Sequence, residues 1–184
     1  MIIMRKDRKI LANVDLKAED FSETNTLKTI KNSKVVKSNF EMVNFPSLQV
    51  FDSNLSSSTF KKSRLSNCVI SKSNLSKVDM EWTNFSHTNL IDTNFNQSNF
   101  QCATLENSEL EKCKLEKADF RWSNLRGLRF VQCNLKEADL CDANMKDAKL
   151  INCNLKGARF NLNTVLPFSR EAALNHGMIM VPLS

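Results

Sequence analysis

Cys113, Cys133 and Cys153 recur at intervals of twenty residues, and thiols at a fixed spacing are the residues of this chain best able to do chemistry, as a soft-metal site or a disulfide framework. A zinc site needs ligands converging tetrahedrally at ~2.3 Å, and a linear ladder does not supply that. With Cys68, these cysteines share a place in a short repeat that Ala, Ser and Thr otherwise fill, so each is expected to be a small buried side chain. Cys102 and Cys141 fall in outward places of the repeat and are expected to be exposed free thiols, as a reducing compartment allows. Neither His87 nor His176 has a nucleophile or ligand partner at a useful spacing. The Asp and Glu are scattered over outward places, and three Gly cannot build a glycine-rich phosphate loop. The sequons at Asn54, Asn74 and Asn84 are by-products of the repeat. No catalytic, cofactor-binding or metal-binding residue is expected, and the chain does not read as an enzyme.

The element that must carry these residues has an unusual period. Every fifth residue from Ile30 to Phe160 is apolar, at all 27 positions. A helix repeats its buried face every 3.6 residues and a strand every 2, so neither can be continued through a strict period of five. Two residues before each centre, 22 of the 27 positions hold Ala, Ser, Thr or Cys, and the residue between is Asn or Asp in 15 cases. An extended segment sends alternate side chains to one side, so the small residue and the centre point inward and the residue between them points out. The remaining two residues of each unit must turn the chain, and Asn or Asp beside them favours turns by bonding nearby backbone.

Units such as Ser73-Asn74-Leu75, Ala118-Asp119-Phe120 and Cys153-Asn154-Leu155 resemble the motif of the pentapeptide-repeat family, Ala-Asp/Asn-Leu followed by two variable residues. The resemblance covers 27 units, about 135 of 184 residues, without an insertion. It implies an all-β fold, a right-handed quadrilateral β-solenoid with four pentapeptides per coil. The chain carries its own sign of a twenty-residue coil: of the nine Phe among the centres, five share one column, Phe40, Phe60, Phe100, Phe120 and Phe160, completed by Met80 and Leu140. Asn54, Asn74, Asn94, Asn134 and Asn154 form another. Like residues stack on like, as solenoids allow. Nearly seven coils span roughly 32 Å at ~4.8 Å each.

One domain is expected, in three parts. Residues 1–29 keep the spacing at Leu11, Leu16 and Phe21 but one residue out of phase, and read as an off-register capping coil. Residues 30–162 are the solenoid. In residues 163–184 Pro167 and Phe168 stop the repeat, Ser169 caps a short helix through Leu174, and Gly177 ends it. The tail Met178-Ile179-Met180-Val181 is too apolar to be left in water and reads as a cap or a dimer contact, the latter because members of the family often pair through their C-terminal ends. Met1-Ile2-Ile3-Met4 is too short for a signal peptide and is followed by Arg5, Lys6, Arg8 and Lys9, and no stretch approaches the ~20 apolar residues of a membrane span. A cytoplasmic protein with no membrane contact is expected.

With the inward positions committed to the core, function must be written in the outward ones. The face centred on Val35, Leu55, Leu75, Phe95, Leu115, Leu135 and Leu155 carries Lys34, Lys37, Lys77, Lys114, Lys117, Lys136 and Lys156 against Glu116 and Glu137, a basic side. The adjoining face, on the Phe column, carries Glu41, Asp79, Glu81, Asp119, Asp139 and Asp142 against Lys61, Lys62, Arg121 and Arg159, a mildly acidic side. Both tryptophans fall in one turn column of that side, Trp82 and Trp122 with Cys102 between them and Met42 further along, a candidate partner contact. A weaker apolar column is Phe51, Ile91, Val131 and Ile151. The expected function is a protein-interaction solenoid with an unidentified protein partner and a homodimer contact at the C-terminal end. The resemblance supplies an alternative, since some family members protect bacterial type II topoisomerases as acidic, DNA-like rods. A net charge of +6 and a register free of projecting loops argue against it. Nucleic acid is not the expected partner, because the basic side has no interleaved aromatics.

Overall fold

The computed structural model describes residues 9–183; Met1 to Arg8, on which the expected lack of a signal peptide mostly rests, lie outside the described residues. The elements are β1 (Ile10–Ala12), β2 (Asp15–Lys17), β3 (Thr29–Lys31), β4 (Lys34–Val36), β5 (Gln49–Phe51), β6 (Val69–Ser71), β7 (Asn89–Ile91), β8 (Glu109–Glu111), β9 (Arg129–Val131), β10 (Lys149–Ile151), β11 (Arg159–Phe160), α1 (Arg170–Asn175) and β12 (Ile179–Met180). They form a right-handed quadrilateral β-solenoid. One side is an eight-stranded parallel sheet, β1-β3-β5-β6-β7-β8-β9-β10. The other sides are mostly parallel bridges twenty residues apart, such as Asn54↔Asn74, Asp119↔Asp139 and Asn84↔Thr104.

The five-residue unit is visible in the burial. Every centre from Ile30 to Phe160 is buried except Leu150, which is half-buried near the open C-terminal end. In the Phe column the rings stack, Phe40 on Phe60 at 4.6 Å and Phe100 on Phe120 at 4.9 Å. The small inward residues are selected for more than size. Many of the hydroxyls and thiols there donate to the carbonyl of the centre twenty-three residues earlier: Ser63 Oγ to Phe40 O at 2.7 Å, Thr83 Oγ1 to Phe60 O at 2.7 Å, Cys113 Sγ to Leu90 O at 3.4 Å. An unpartnered buried hydroxyl would cost about 1–3 kcal/mol, and no buried side-chain N or O among the described residues lacks a partner. Outward Asn and Asp accept from the backbone N–H two residues on, as Asn54 does from Ser56 at 3.0 Å and Asp119 from Arg121 at 3.0 Å. That bond opens the turn, which explains the Asn/Asp excess.

The turn itself demands a left-handed residue. Two positions after each centre from Ile30 to Leu155 φ is positive, as at Lys77 (58°), Trp82 (59°) and Gln97 (60°), and the site is mostly filled by residues other than Gly. None of those residues is Val, Ile or Thr, whose branched Cβ fits this region worst. We therefore expect Lys77→Ile to destabilise the fold by about 1–2 kcal/mol while Lys77→Asn is neutral or better. Urea denaturation of the two variants measures it; equal midpoints would show that the turn relaxes.

The ends depart from the period. β1 pairs with β3 and β2 with β4 at an offset of nineteen, Leu11 on Ile30 and Leu16 on Val35, and the buried Leu27 closes the shortened side. At the other end the ladder runs past residue 162: Val165 bridges Asn144 at an offset of twenty-one, with Thr164 in the small inward place and donating to Leu140 O. Ser169 accepts from Ala172 N and caps α1, and β12 then pairs in parallel with β11, Met180 beside Phe160.

Candidate functional site

The cysteines resolve into structure. All six are free. Cys113, Cys133 and Cys153 continue the column Ser33, Ser53, Ser73 and Thr93, and like them donate back to the carbonyl two residues earlier, Cys133 Sγ to Val131 O at 3.5 Å where Ser53 Oγ reaches Phe51 O at 2.7 Å. They stand in for hydroxyls at a corner. Among the described residues no group of three or more His, Cys, Asp or Glu could hold a metal ion. Cys141, expected outward, is buried, at 6% exposure. Asn161, twenty residues on and itself buried, and Asn163 donate to the neighbouring Asp142 at 2.9 and 2.8 Å, which closes this corner. Cys102 is half-buried and Cys153, near the open end, is half-buried rather than sealed. Burial pushes the thiols of Cys68 and Cys141 up to about 12, and the hydrogen bond with Cys113, then burial, brings Cys133 to about 12. The hydrogen bond with Cys133, then burial, raises Cys153 too, and burial raises Cys102, so access sets the order: alkylation of the folded protein at neutral pH should reach the half-buried Cys102 first and Cys153 next, leaving the four buried thiols for the denatured state. Mass spectrometry of labelled peptides reads this, and early labelling of Cys133 would contradict it. His87 occupies an exposed turn and His176 closes α1 with its ring 5.7 Å from Phe168.

Charge on the basic side is less free than the sequence suggests. Lys34 pairs with Asp15 at 3.3 Å, Lys117 with Glu137 at 3.4 Å, and Lys136 with Glu116 and Glu137 at 3.2 and 3.3 Å. The Lys136 ammonium beside it holds the Glu137 carboxyl below its usual value. Asp15 lies in the out-of-phase coil, which is why counting by twenties missed it. Lys37, Lys77, Lys114 and Lys156 form no ion pair among the described residues. An open groove of about 970 Å³ runs along the corner beside this side, past Asp52, Lys72, Asp92 and Lys114. Its charges alternate in sign, and its hydroxyls at Ser33, Ser53, Ser73 and Thr93 are spent on backbone carbonyls.

The mildly acidic side is laced with cations: Lys61 to Glu81, Arg121 to Asp119 at 2.7 Å, Arg159 to Asp139 at 3.4 Å. Along its edge Met42, Trp82 and Trp122 project from left-handed turns, 69%, 58% and 50% exposed. Stacking is fixed by backbone bonds, Trp82 N to Gln101 O and Cys102 N to Arg121 O, both 3.0 Å. Trp122 is further held by the Arg121 guanidinium 5.3 Å from its ring, itself bonded through Nε and Nη2 to Asp119, which also accepts from Gln101. In the other apolar column Phe51, Ile91 and Val131 are half-buried and Ile151 is exposed.

The C-terminal tail divides. Met178 is buried at 4% exposure and belongs to the core, so it cannot be a dimer contact; Ile179 N and Val181 N donate to Ala158 O and Phe160 O, both at 2.8 Å, which turns Met178 inward. Val181 is half-buried, and Ile179 and Met180 are exposed. Leu162, Val165, Leu174 and Leu183, which the sequence reading did not single out, are exposed at the same end. The apolar Leu174 on the outward side of a short helix was the signal available.

Among the described residues no helix is long and apolar enough to cross a membrane. The model of a pentapeptide repeat region matches residues 103–168, and that of pentapeptide repeats (8 copies) matches 51–86 and 80–116. The chain belongs to the pentapeptide-repeat family. Its fold is similar to that of trypsin-treated QnrB1, a plasmid-mediated fluoroquinolone resistance protein, with a TM-score of 0.60 and 15% identity over 94% of this chain and 91% of that one. It is also similar to alr5209, a pentapeptide repeat protein from Nostoc Pcc 7120, with a TM-score of 0.50 and 21% identity over 59% of this chain and 84% of that one. At such identities the likeness is one of fold. A search of curated proteins found no match.

Proposed function

We propose that this chain is a non-enzymatic interaction solenoid that engages a protein partner, in the cytoplasm, through the column of Met42, Trp82 and Trp122. One observation carries the reading: the chain's two tryptophans stand half-exposed or more in one column, on a scaffold whose other large aromatic side chains are largely committed to the core. Exposed Trp is a common anchor of interface energy, and a rigid backbone presents it at little entropic cost. A homodimer through the apolar C-terminal end accompanies this reading. Affinity capture from an extract of the source cells, compared with the Trp82→Ser/Trp122→Ser double variant, tests it. The partner should be lost from the variant, and equal capture by both proteins would overturn the assignment.

The alternative, protection of a type II topoisomerase by imitation of DNA, draws on the fold shared with QnrB1. Charge opposes it. The acidic side is cross-linked by its own Lys and Arg, and the neighbouring side carries four lysines with no ion pair among the described residues, which a DNA-binding surface would repel. The purified protein should therefore leave gyrase supercoiling unchanged with or without a quinolone. Clear protection in that assay would promote the alternative.

A further inference from the structure

The spacing of the exposed column points to the kind of partner. Met42, Trp82 and Trp122 are each forty residues apart, two coils, with the smaller or more flexible Lys62 and Cys102 in the coils between. At ~4.8 Å per coil the apolar ridges recur every ~9.6 Å. A polyproline II helix has three residues per turn at 3.1 Å each, a repeat of about 9.3 Å. Across the two intervals from Met42 to Trp122 the mismatch is about 0.6 Å. An α-helix presenting every seventh residue would repeat at about 10.5 Å and fall about 1.8 Å out of step over the same length. A β-strand repeats its face every ~6.7 Å, so although its third repeat comes within about 0.9 Å of Trp122, its first falls about 2.9 Å short of Trp82.

We propose that the Met42–Trp82–Trp122 column is a docking surface for a proline-rich segment in the polyproline II conformation, flanked by Arg or Lys. The inference rests on the interaction reading above and names its partner class. Prolines three residues apart would enter the two gaps between ridges, one floored by Lys62 and the other by Cys102. Such a ligand is preformed and loses little entropy on binding, and aromatic ridges are the surfaces that hold it. Trp122 is already fixed in place by Arg121. The basic flanks follow from charge: six acidic groups against four cations on this side make it the one with an acidic excess in a chain of net charge +6.

The protein carries its own probe. Trp82 and Trp122 are its only tryptophans and it has no tyrosine, so intrinsic emission reports on this column. Titration with a nonaproline peptide flanked by arginines should shift that emission saturably, with weaker binding when the flanks are glutamates and none for a Gly-Ser peptide of the same length. Calorimetry on Cys102→Trp then tests the spacing. This substitution adds an aromatic in a left-handed turn that already accepts Trp at two equivalent places, but it fills a gap between ridges. Binding should fall at least tenfold, while Cys102→Ala keeps it. Tighter binding by Cys102→Trp would mean simple apolar adhesion, and a flat titration of the wild-type protein would mean no polyproline recognition; either overturns the proposal. The broader reading survives both if a captured protein partner is still lost from the Trp82→Ser/Trp122→Ser variant, and falls with it if that partner is retained.

Discussion

Replacing Phe100 by Asp should abolish the cooperative fold, while replacing its neighbour Gln101 by Ser should move the melting temperature by no more than a degree or two. Phe100 is fully buried, stacked on Phe120 and edge-on to Phe95 at 5.5 Å. Truncating a buried Phe costs about 3–5 kcal/mol. An unpaired carboxylate in its place adds several more, and together they approach the about 5–15 kcal/mol that holds a domain folded. In a solenoid each coil rests only on its neighbours, so a defect at Phe100 separates the coils on either side. Gln101 points outward, and its side chain makes one hydrogen bond, to Asp119 Oδ2 at 2.9 Å. Surface changes of that kind stay within about 0.5 kcal/mol. Thermal melts followed by circular dichroism distinguish the two, and similar losses in both would show that the inward and outward positions have been exchanged.

The fold was legible because a period of five leaves few choices. Ser63, Thr83 and Cys113 share a place for which size alone would have chosen Ala, and their bonds to the carbonyls of Phe40, Phe60 and Leu90 show what a hydroxyl or thiol adds there. The sequence could not reveal that bond, because its partner is a backbone atom twenty-three residues away. What it misjudged lies where the period breaks. Counting places Cys141 outward, yet it is buried in the last turn, where Asn161 accepts from Asp142 N and is itself buried. Counting by twenties sets Lys34 on the basic side without its partner, because Asp15 sits at an offset of nineteen. The Trp column needed only the count of twenty; how far each indole stands out depends on the left-handed turn beneath it, which the sequence signals only by the absence of branched residues there.

The second large effect is expected at the C-terminal end, where Met178→Asp should loosen the cap and the double substitution Leu174→Asp/Ile179→Asp should leave it intact. Met178 and Ala173 are sealed into the core beside the last coil, so a carboxylate at 178 would face apolar side chains without a partner, at a cost of several kcal/mol. The backbone bonds of β12 to β11 would then hold the tail without its buried anchor, and Phe160 would lose cover. A fall of ten degrees or more in melting temperature is expected, and an unchanged melt would mean that the tail contributes nothing to closing the solenoid. Leu174 and Ile179 lie on the opposite, solvent side of the same cap. Charges there should not alter the melt, yet they would place like charges across any two-fold contact made by this end, where each copy meets the same patch of the other. If the end is a dimer contact, light scattering should find a dimer for the wild-type protein and a monomer for the double variant. A wild-type protein that is monomeric at high concentration would leave the exposed leucines as the outer surface of a cap and nothing more.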